Sequence, residues 1–520
     1  MTKPSQTAPV SNTGRNATLV AALLGWMFDG FEMGLFPLIG KPALTDLLKG
    51  TDQAGSEADW FGVIIAVFLV GAASGGVLFG WLGDKIGRVR AMSLSIVTYA
   101  IFTGLCGFAT EAWHIAVLRF IASLGMGGEW SLGVALVNEI WPGKSRAFIA
   151  GLIGAASNVG FLMVAILSMG LTGFIGGVHS MLLTIGVSEE SSQHLLANSA
   201  WRFLMISGAF PALLIFFIRL FVPESAKWEE ERDSGKTSHW NNVDLFGVLG
   251  GCLAAIGIIY VWSPLQKDAA SWIRIVVTVI GLAACLVGFL YPVHQFLTRT
   301  IATGKVAAEQ KNRVIGRMLF GASLAGVALL GTWGSIQWAP GWADSLQPNV
   351  EGKTLEDGTV VVAVKHYAKE KTQAALAIGA IIGTILAALA AGKFGRRITY
   401  ALLCLGSVGS AVYFYQGHSA FNTNFLFAAV LAGGVTASFY GFFPLYFPEL
   451  FPTAVRATGQ GFAFNFGRVI AAIGGLQTAN LKAYFDGNLP KAGSALAAIY
   501  LIGVVIVWFG PETRGKDLPD

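Results

Sequence analysis

The sequence is poor in charge. Of its 520 residues 12% are Asp, Glu, Lys or Arg, against about 25% in an ordinary soluble domain, so a string of water-soluble domains is excluded. Cysteine is scarce too: Cys106, Cys252, Cys285 and Cys404 lie far apart inside apolar stretches with no CxxC spacing, which leaves no disulfide framework and no zinc site. The seven histidines are dispersed, without an HxxxH pair to make a ligand face, and no metal is expected. The sequence has no Walker A loop and no HExxH pair, and Ser74 in GAASGG lacks a rhomboid-type context; neither an enzyme nor a cofactor is expected. The 35 basic and 30 acidic residues are too balanced and too scattered for a nucleic-acid-binding surface.

What the chain has instead is apolar sequence: 54% hydrophobic residues and a mean hydropathy of +0.62. A bilayer core takes about 20 apolar residues per helix, and fourteen such runs occur, so the expected class is an all-α polytopic membrane protein. Six runs occupy 17–40, 60–83, 91–110, 113–140, 146–174 and 201–222. Two lie at 244–264 and 271–296, and six more at 314–340, 371–391, 397–417, 421–447, 456–480 and 493–510. The first run follows a polar tail without a small-residue cleavage site, so it reads as a helix and not as a cleaved signal.

Basic residues concentrate on one side of this map, most sharply in GDKIGRVR at 83–90, in the 297–317 segment and in GKFGRR at 392–397. By the positive-inside rule these segments, and both termini, are cytoplasmic. Long external loops then fall at 175–200 and 341–370, the second carrying an Asp-Gly turn signal beside a β-branched run that predicts a small hairpin.

The chain repeats itself. Glu139, Pro142, Arg146 and Ala147 recur as Glu449, Pro452, Arg456 and Ala457, and the loop at 83–88 recurs in degraded form at 391–396. Two matches in the same order at nearly equal offsets describe a duplicated six-helix unit with one helix pair inserted between the halves. The expected division is a tail over 1–16, a bundle over 17–222, a linker over 223–313 holding the inserted pair, a second bundle over 314–510 and a tail over 511–520.

These residues resemble the major facilitator superfamily over nearly the whole chain apart from the inserted pair. GWLGDKIGRVR at 80–90 is similar to the superfamily's signature between helices two and three, and PESAKW at 223–228 and PETRGK at 511–516 to the signatures after helices six and twelve of its sugar-porter and metabolite-symporter branches. GWMFDGF at 25–31 and RFIASLGMGGEW at 119–130 resemble the metabolite:proton and sialate:proton symporters. The resemblance implies a major facilitator fold of two six-helix bundles, here with two extra helices, rocking about a central site.

Charges at membrane depth are expensive and mark function. Asp29 and Glu32, three residues apart on one helix, can face the same side, and a desolvated carboxylate can exchange a proton near neutral pH. Asp29 is the first candidate proton carrier, with Glu32 and Glu129 beside it. Arg119, which resembles the basic position of the family's helix-four motif, could bind an anion or act on a carboxylate such as Asp29. Arg468 needs an acidic partner, and a substrate anion is a natural one. Asn158, Gln337, Tyr440 and Asn465 complete the candidate substrate-binding set, and Trp26 and Trp333 could stack on a ring.

The resemblance also implies a cytoplasmic gate carried by Asp84, Arg88, Glu139, Arg146, Glu224, Arg396, Glu449, Arg456 and Glu512. Gly392 stands where the second half's equivalent of Asp84 would be, so the gate is expected to be asymmetric. The function expected is a monomeric inner-membrane secondary transporter moving a small organic anion, such as a monocarboxylate or sialate-like acid, together with protons. A sugar or polyol symporter is the nearest alternative, and a non-transporting sensor a more distant one.

Overall fold

A computed structural model describes residues 12–519, apart from 142–144, 264–265, 267–268, 304–307, 350–352, 355–359, 362–364, 477–480 and 482. Most of the 1–16 tail and Pro142 of the repeat lie outside the described residues. Among those residues, twelve helices are long and apolar enough to cross a membrane, so the chain is an integral membrane protein.

The first half supplies α1 (Asn12–Leu48), α2 (Glu57–Ile86), α3 (Arg88–Leu105), α4 (Ala112–Ile140), α5 (Arg146–Met169), α6 (Leu171–Thr184), α7 (Glu189–Ser207), α8 (Leu214–Phe221) and the short α9 (Ala226–Asp233). The inserted pair is α10 (Leu245–Trp262) and α11 (Ser271–Ala302). The second half follows as α12 (Ala308–Gly334), α13 (Ala339–Leu346), α14 (Ala368–Phe394), α15 (Arg396–Gln416), α16 (Thr423–Thr436), α17 (Phe439–Tyr446), α18 (Arg456–Leu476), α19 (Leu489–Ala497) and α20 (Tyr500–Ile506).

Two of the fourteen expected runs are not among the twelve. The run at 201–222 is broken at Gly208, with a tighter turn over Phe210–Leu213, where Pro211 has no N–H to give a regular helix. The run at 456–480 forms α18, whose Arg456, Gln460, Asn465 and Arg468 lower its hydropathy. The expected loop at 175–200 is instead a helical hairpin of α6 and the start of α7, closed by Val178 and Leu182 against Leu196 and Ala200. In the other long loop, Lys353–Thr354 pairs antiparallel with Val360–Val361.

Helix ends follow local chemistry. α2 opens with Glu57 and Asp59 and closes with Lys85, charges that suit the helix dipole. It stops at Gly87, whose φ of +114° is a conformation that L side chains rarely adopt. The equivalent stop after α14 is Gly395 at φ +97°, so the duplication extends to the backbone.

The halves meet along two seams, α2 against α18 and α5 against α14. Each joins the second long helix of one half to the fifth of the other. Inside the first half, α2 and α4 cross at reciprocal glycines: Gly75 lies on the backbone of Leu124, and Gly127 on that of Ala72. Such contacts let helices associate in lipid, where no hydrophobic drive separates them from the solvent. The inserted pair packs α10 on α2 and α11 on α12, and both touch α18. Its outer face, with Phe246, Leu253, Val279, Ile280 and Val287, is exposed.

Gly127→Val places a branched side chain against the backbone of Ala72. Overpacking of this kind costs about 1–3 kcal/mol, so the variant is expected to unfold at a lower temperature than the parent, measured by tryptophan fluorescence in detergent.

Candidate functional site

The site grows from three helices, α1, α4 and α18. Asp29 of α1 and Glu129 of α4 come within hydrogen-bonding reach of each other, an approach allowed because Glu129 occupies the space where a side chain on Gly25 would stand. Two carboxylates this close cannot both be ionised at low cost. Asp29 and Glu129 are 6% and 2% exposed, and Asp29 Oδ1 and Glu129 Oε2 have no hydrogen-bond partner.

Across from them, Arg468 of α18 is buried, and its Nη1 also lacks a partner. It makes no ion pair among the described residues, and its guanidinium lies 5.4 Å from the centre of the Phe464 ring. Phe464 in turn stacks on Trp130, with centroids 3.9 Å apart and planes at 12°. The arginine is therefore held from below by an aromatic pair while one edge stays free to bind.

Asp29, Trp130, Phe464 and Arg468, but not Glu129, line a cavity of about 1060 Å³, open solvent included, between the two halves. Trp26, Asp29, Trp130 and Asn158 come from the first half, and Trp333, Gln337, Gln373, Tyr440, Phe464 and Arg468 from the second. A narrower space of about 460 Å³ shares Phe161, Gln337 and Gln373 with it and runs on to Pro37, Ser168 and Glu370. There Ser168 donates 3.1 Å to Glu370 across the halves.

Not every expected residue reaches the cavity. Glu32 turns away from Asp29 and forms an ion pair with Arg119, and Thr103 donates to it as well. The guanidinium of Arg119 lies over Phe36 and Phe68, 4.8 and 4.5 Å from their ring centres. The partner of Arg119 is thus Glu32 and not Asp29, and neither side chain lines the cavity. Asn465 is also elsewhere: its amide donates to Gly461 O at 3.0 Å and Gly127 O at 3.4 Å, and it fills the space beside Gly76. Asn158, Gln337 and Tyr440 do line the cavity, as do Trp26 and Trp333. Trp130, Thr332 and Gln373 are wall residues that the sequence did not single out; each is a neutral residue in an apolar run.

At one end the nine expected gate residues come together. Arg88 holds Asp84 at 2.6 Å and Glu139 at 3.2 Å, and Arg396 grips both oxygens of Glu449 at 2.6 and 2.9 Å. The halves are then tied crosswise: Arg456 donates to Glu139 at 2.9 Å and Arg146 to Glu449 at 2.6 Å. Asp84 adds a contact with no counterpart. It accepts from Ala457 N, Thr458 N and Thr458 Oγ1, at 3.2, 2.8 and 2.6 Å, at the start of α18, where the helix dipole favours an anion. Gly392, its equivalent, meets only Ala147 Cβ. The cluster is asymmetric.

Glu224 and Glu512 take equivalent places, accepting from the first N–H groups of α3 and α15 respectively. Their acidities are shifted in opposite directions. Burial pushes the Glu224 carboxyl above its usual range, whereas at Glu512 burial is outweighed by the N–H groups of Arg396, Arg514 and Arg397, which hold its carboxyl lower.

Residues 18–345 match the Major Facilitator Superfamily. The chain belongs to that superfamily. It is 27% identical to the cis,cis-muconate transport protein of Acinetobacter baylyi, over 97% of this chain and 96% of the relative. It is 23% identical to the niacin transporter NiaP of the same organism, over 95% and 93%. Among solved structures it is similar in fold to the proton:xylose symporter XylE of E. coli, with a TM-score of 0.62, 17% identity, and coverage of 97% and 98%. A major facilitator chain is a transporter of small molecules across the membrane and not an enzyme.

Removing one partner of a buried ion pair leaves an uncompensated charge and costs about 3–5 kcal/mol. Glu32→Gln is therefore expected to lower stability far more than the double change Glu32→Leu with Arg119→Met, measured by thermal unfolding. Glu512, with its carboxyl held low in the folded chain, stabilises the fold above the unfolded carboxyl pKa and loses that contribution as pH falls through the folded value. Glu512→Gln is expected to reduce the drop in unfolding temperature between about pH 6 and about pH 4.

Proposed function

We propose that this chain is a proton-coupled symporter of a small organic anion, working by alternating access. The observation that carries the reading is the free edge of the Arg468 guanidinium, buried in the central cavity opposite the Asp29–Glu129 pair. The names of the muconate and niacin relatives, each a carboxylic acid, support the choice of a carboxylate cargo.

Charge neutrality gives the cycle. Glu32 and Arg119 cancel each other. Asp29 and Glu129 sharing one proton carry a single negative charge, which balances Arg468. A monocarboxylate that docks on Arg468 adds one negative charge, and leaving it uncompensated at membrane depth costs several kcal/mol. A second proton on the carboxylate pair restores neutrality, so the loaded carrier rocks with one proton beyond the resting one. When the anion leaves, the extra proton follows, and the empty carrier returns neutral. Transport of a monocarboxylate is then electroneutral, one proton for one anion. Trp26, Trp130 and Trp333 offer faces to the apolar part of the cargo, while Asn158, Gln337 and Gln373 select for its other polar groups.

We place the gate end in the cytoplasm with both termini, on the strength of the basic loops there, and the chain in the cytoplasmic membrane. In this reading fourteen segments span, with bundles over 17–222 and 314–510, and the closed gate makes this the outward-facing state.

The amide-rich and tryptophan-rich wall would also suit a sugar or polyol, and proteoliposomes separate the two readings. With a proton gradient imposed, carboxylates are expected to accumulate without net charge movement and sugars not at all. Asp29→Asn is expected to abolish accumulation while leaving exchange of external for internal substrate, and Arg468→Ala to abolish both. Proton-driven accumulation that survives Asp29→Asn removes Asp29 from the coupling role, and uptake of sugars but not carboxylates overturns the anion reading.

A further inference from the structure

Beyond the last membrane helix, residues 511–519 stay against the protein. They run back across the gate. Tyr446 donates to Pro511 O at 2.6 Å, Thr513 donates to Glu449 at 2.5 Å, and Gly515, at φ +73°, turns the backbone so that Lys516 N reaches Thr513 O at 3.1 Å. Beyond that turn, Arg146 of the first half donates to Lys516 O at 3.4 Å, and Arg456 of the second half donates to Pro519 O at 2.5 Å. Leu518 is only 8% exposed and Thr513 only 6%.

Arg146 and Arg456 are the two gate arginines whose ion pairs cross between the halves; Arg88 crosses too, but to a backbone carbonyl, Thr453 O at 2.9 Å. Each uses one edge to reach a glutamate of the opposite half and also donates to a carbonyl of this segment. We propose that residues 513–519 are a strap that locks the gate: a short peptide seated on both crossing arginines, which holds the gate-closed state and must lift before the gate can open. An arginine bonded only to its glutamate can trade that contact for water as the halves part. Here, parting the halves also takes Lys516 O from Arg146, while Arg456 and the burial of Leu518 keep the segment seated, so the strap adds to the gate a contact that opening must break. Because linkage is reciprocal, anything that draws the strap off the gate shifts the transporter toward the gate-open state without touching the central cavity.

The inference rests on the proposed alternation only in requiring that the gate open. Its test uses neither substrate nor a proton gradient, so it can fail while the symport reading stands, and the reverse. In a chain whose four cysteines are replaced, Ala388→Cys puts a thiol on α14, fully buried against Gly151 of the other half. Its reaction with a bulky thiol reagent added from the gate side reports how often the gate opens. Deleting 516–520, or making Leu518→Ala alone, is expected to speed this reaction at least roughly fivefold. Unchanged or slower labelling in both variants overturns the strap. Leu518→Ala leaves every strap carbonyl in place, so it decides the matter if the deleted chain fails to fold. A thiol placed at Ala91, near the gate but buried within the first half against Gly83, controls for general loosening: if it too reacts faster by the same factor, the strap is overturned.

Discussion

A charge withdrawn from water into a bilayer must find a counter-charge, and the arrangement of this protein follows from how each buried charge meets that demand. Glu32 and Arg119 meet it completely and make a closed, neutral brace between α1 and α4. The gate arginines meet it with two glutamates, each shared between halves. Among the described residues the demand is left open at the centre, where Arg468 has a free edge and Asp29 and Glu129 press together. The same physics thus separates parts of the molecule that hold from the part that must exchange partners.

The distinction divides the interface between the halves into regions with different tasks. Along the seams, glycines such as Gly76, Gly80 and Gly151 let the helices of the two halves approach closely. At the gate, contact is made by charge-assisted hydrogen bonds, which are directional and break as a set. In between, the cavity is walled by aromatic rings and amides.

Much of this was legible in the sequence, and the reason is cost. Asp29, Glu129 and Arg468 stand out because apolar runs carry such residues only at a penalty, and the duplicated Glu and Arg of the gate stand out because a repeat preserved them twice. Rotation about a helix axis was not legible. Asp29 and Glu32 sit three residues apart, which places them on one broad side but about 60° apart around the helix, enough for one to face α18 and the other α3 and Arg119. Cavity residues such as Thr332 and Gln373 carry no such penalty and so gave no signal, and Asn465 has the polarity of a ligand group but the place of a spacer between helices. The break in the 201–222 run was written in Gly208 and Pro211, whereas the hairpin of α6 and α7 was hidden by a polar stretch that buries only a narrow apolar stripe.

The inserted helices occupy a particular place. With α10 on α2, α11 on α12 and both on α18, they lie over one of the two seams and leave the other, between α5 and α14, bare. The two seams therefore differ in their surroundings: the inserted pair backs one with protein and lies over none of the other, so the duplicated halves meet in an interface that is not symmetric.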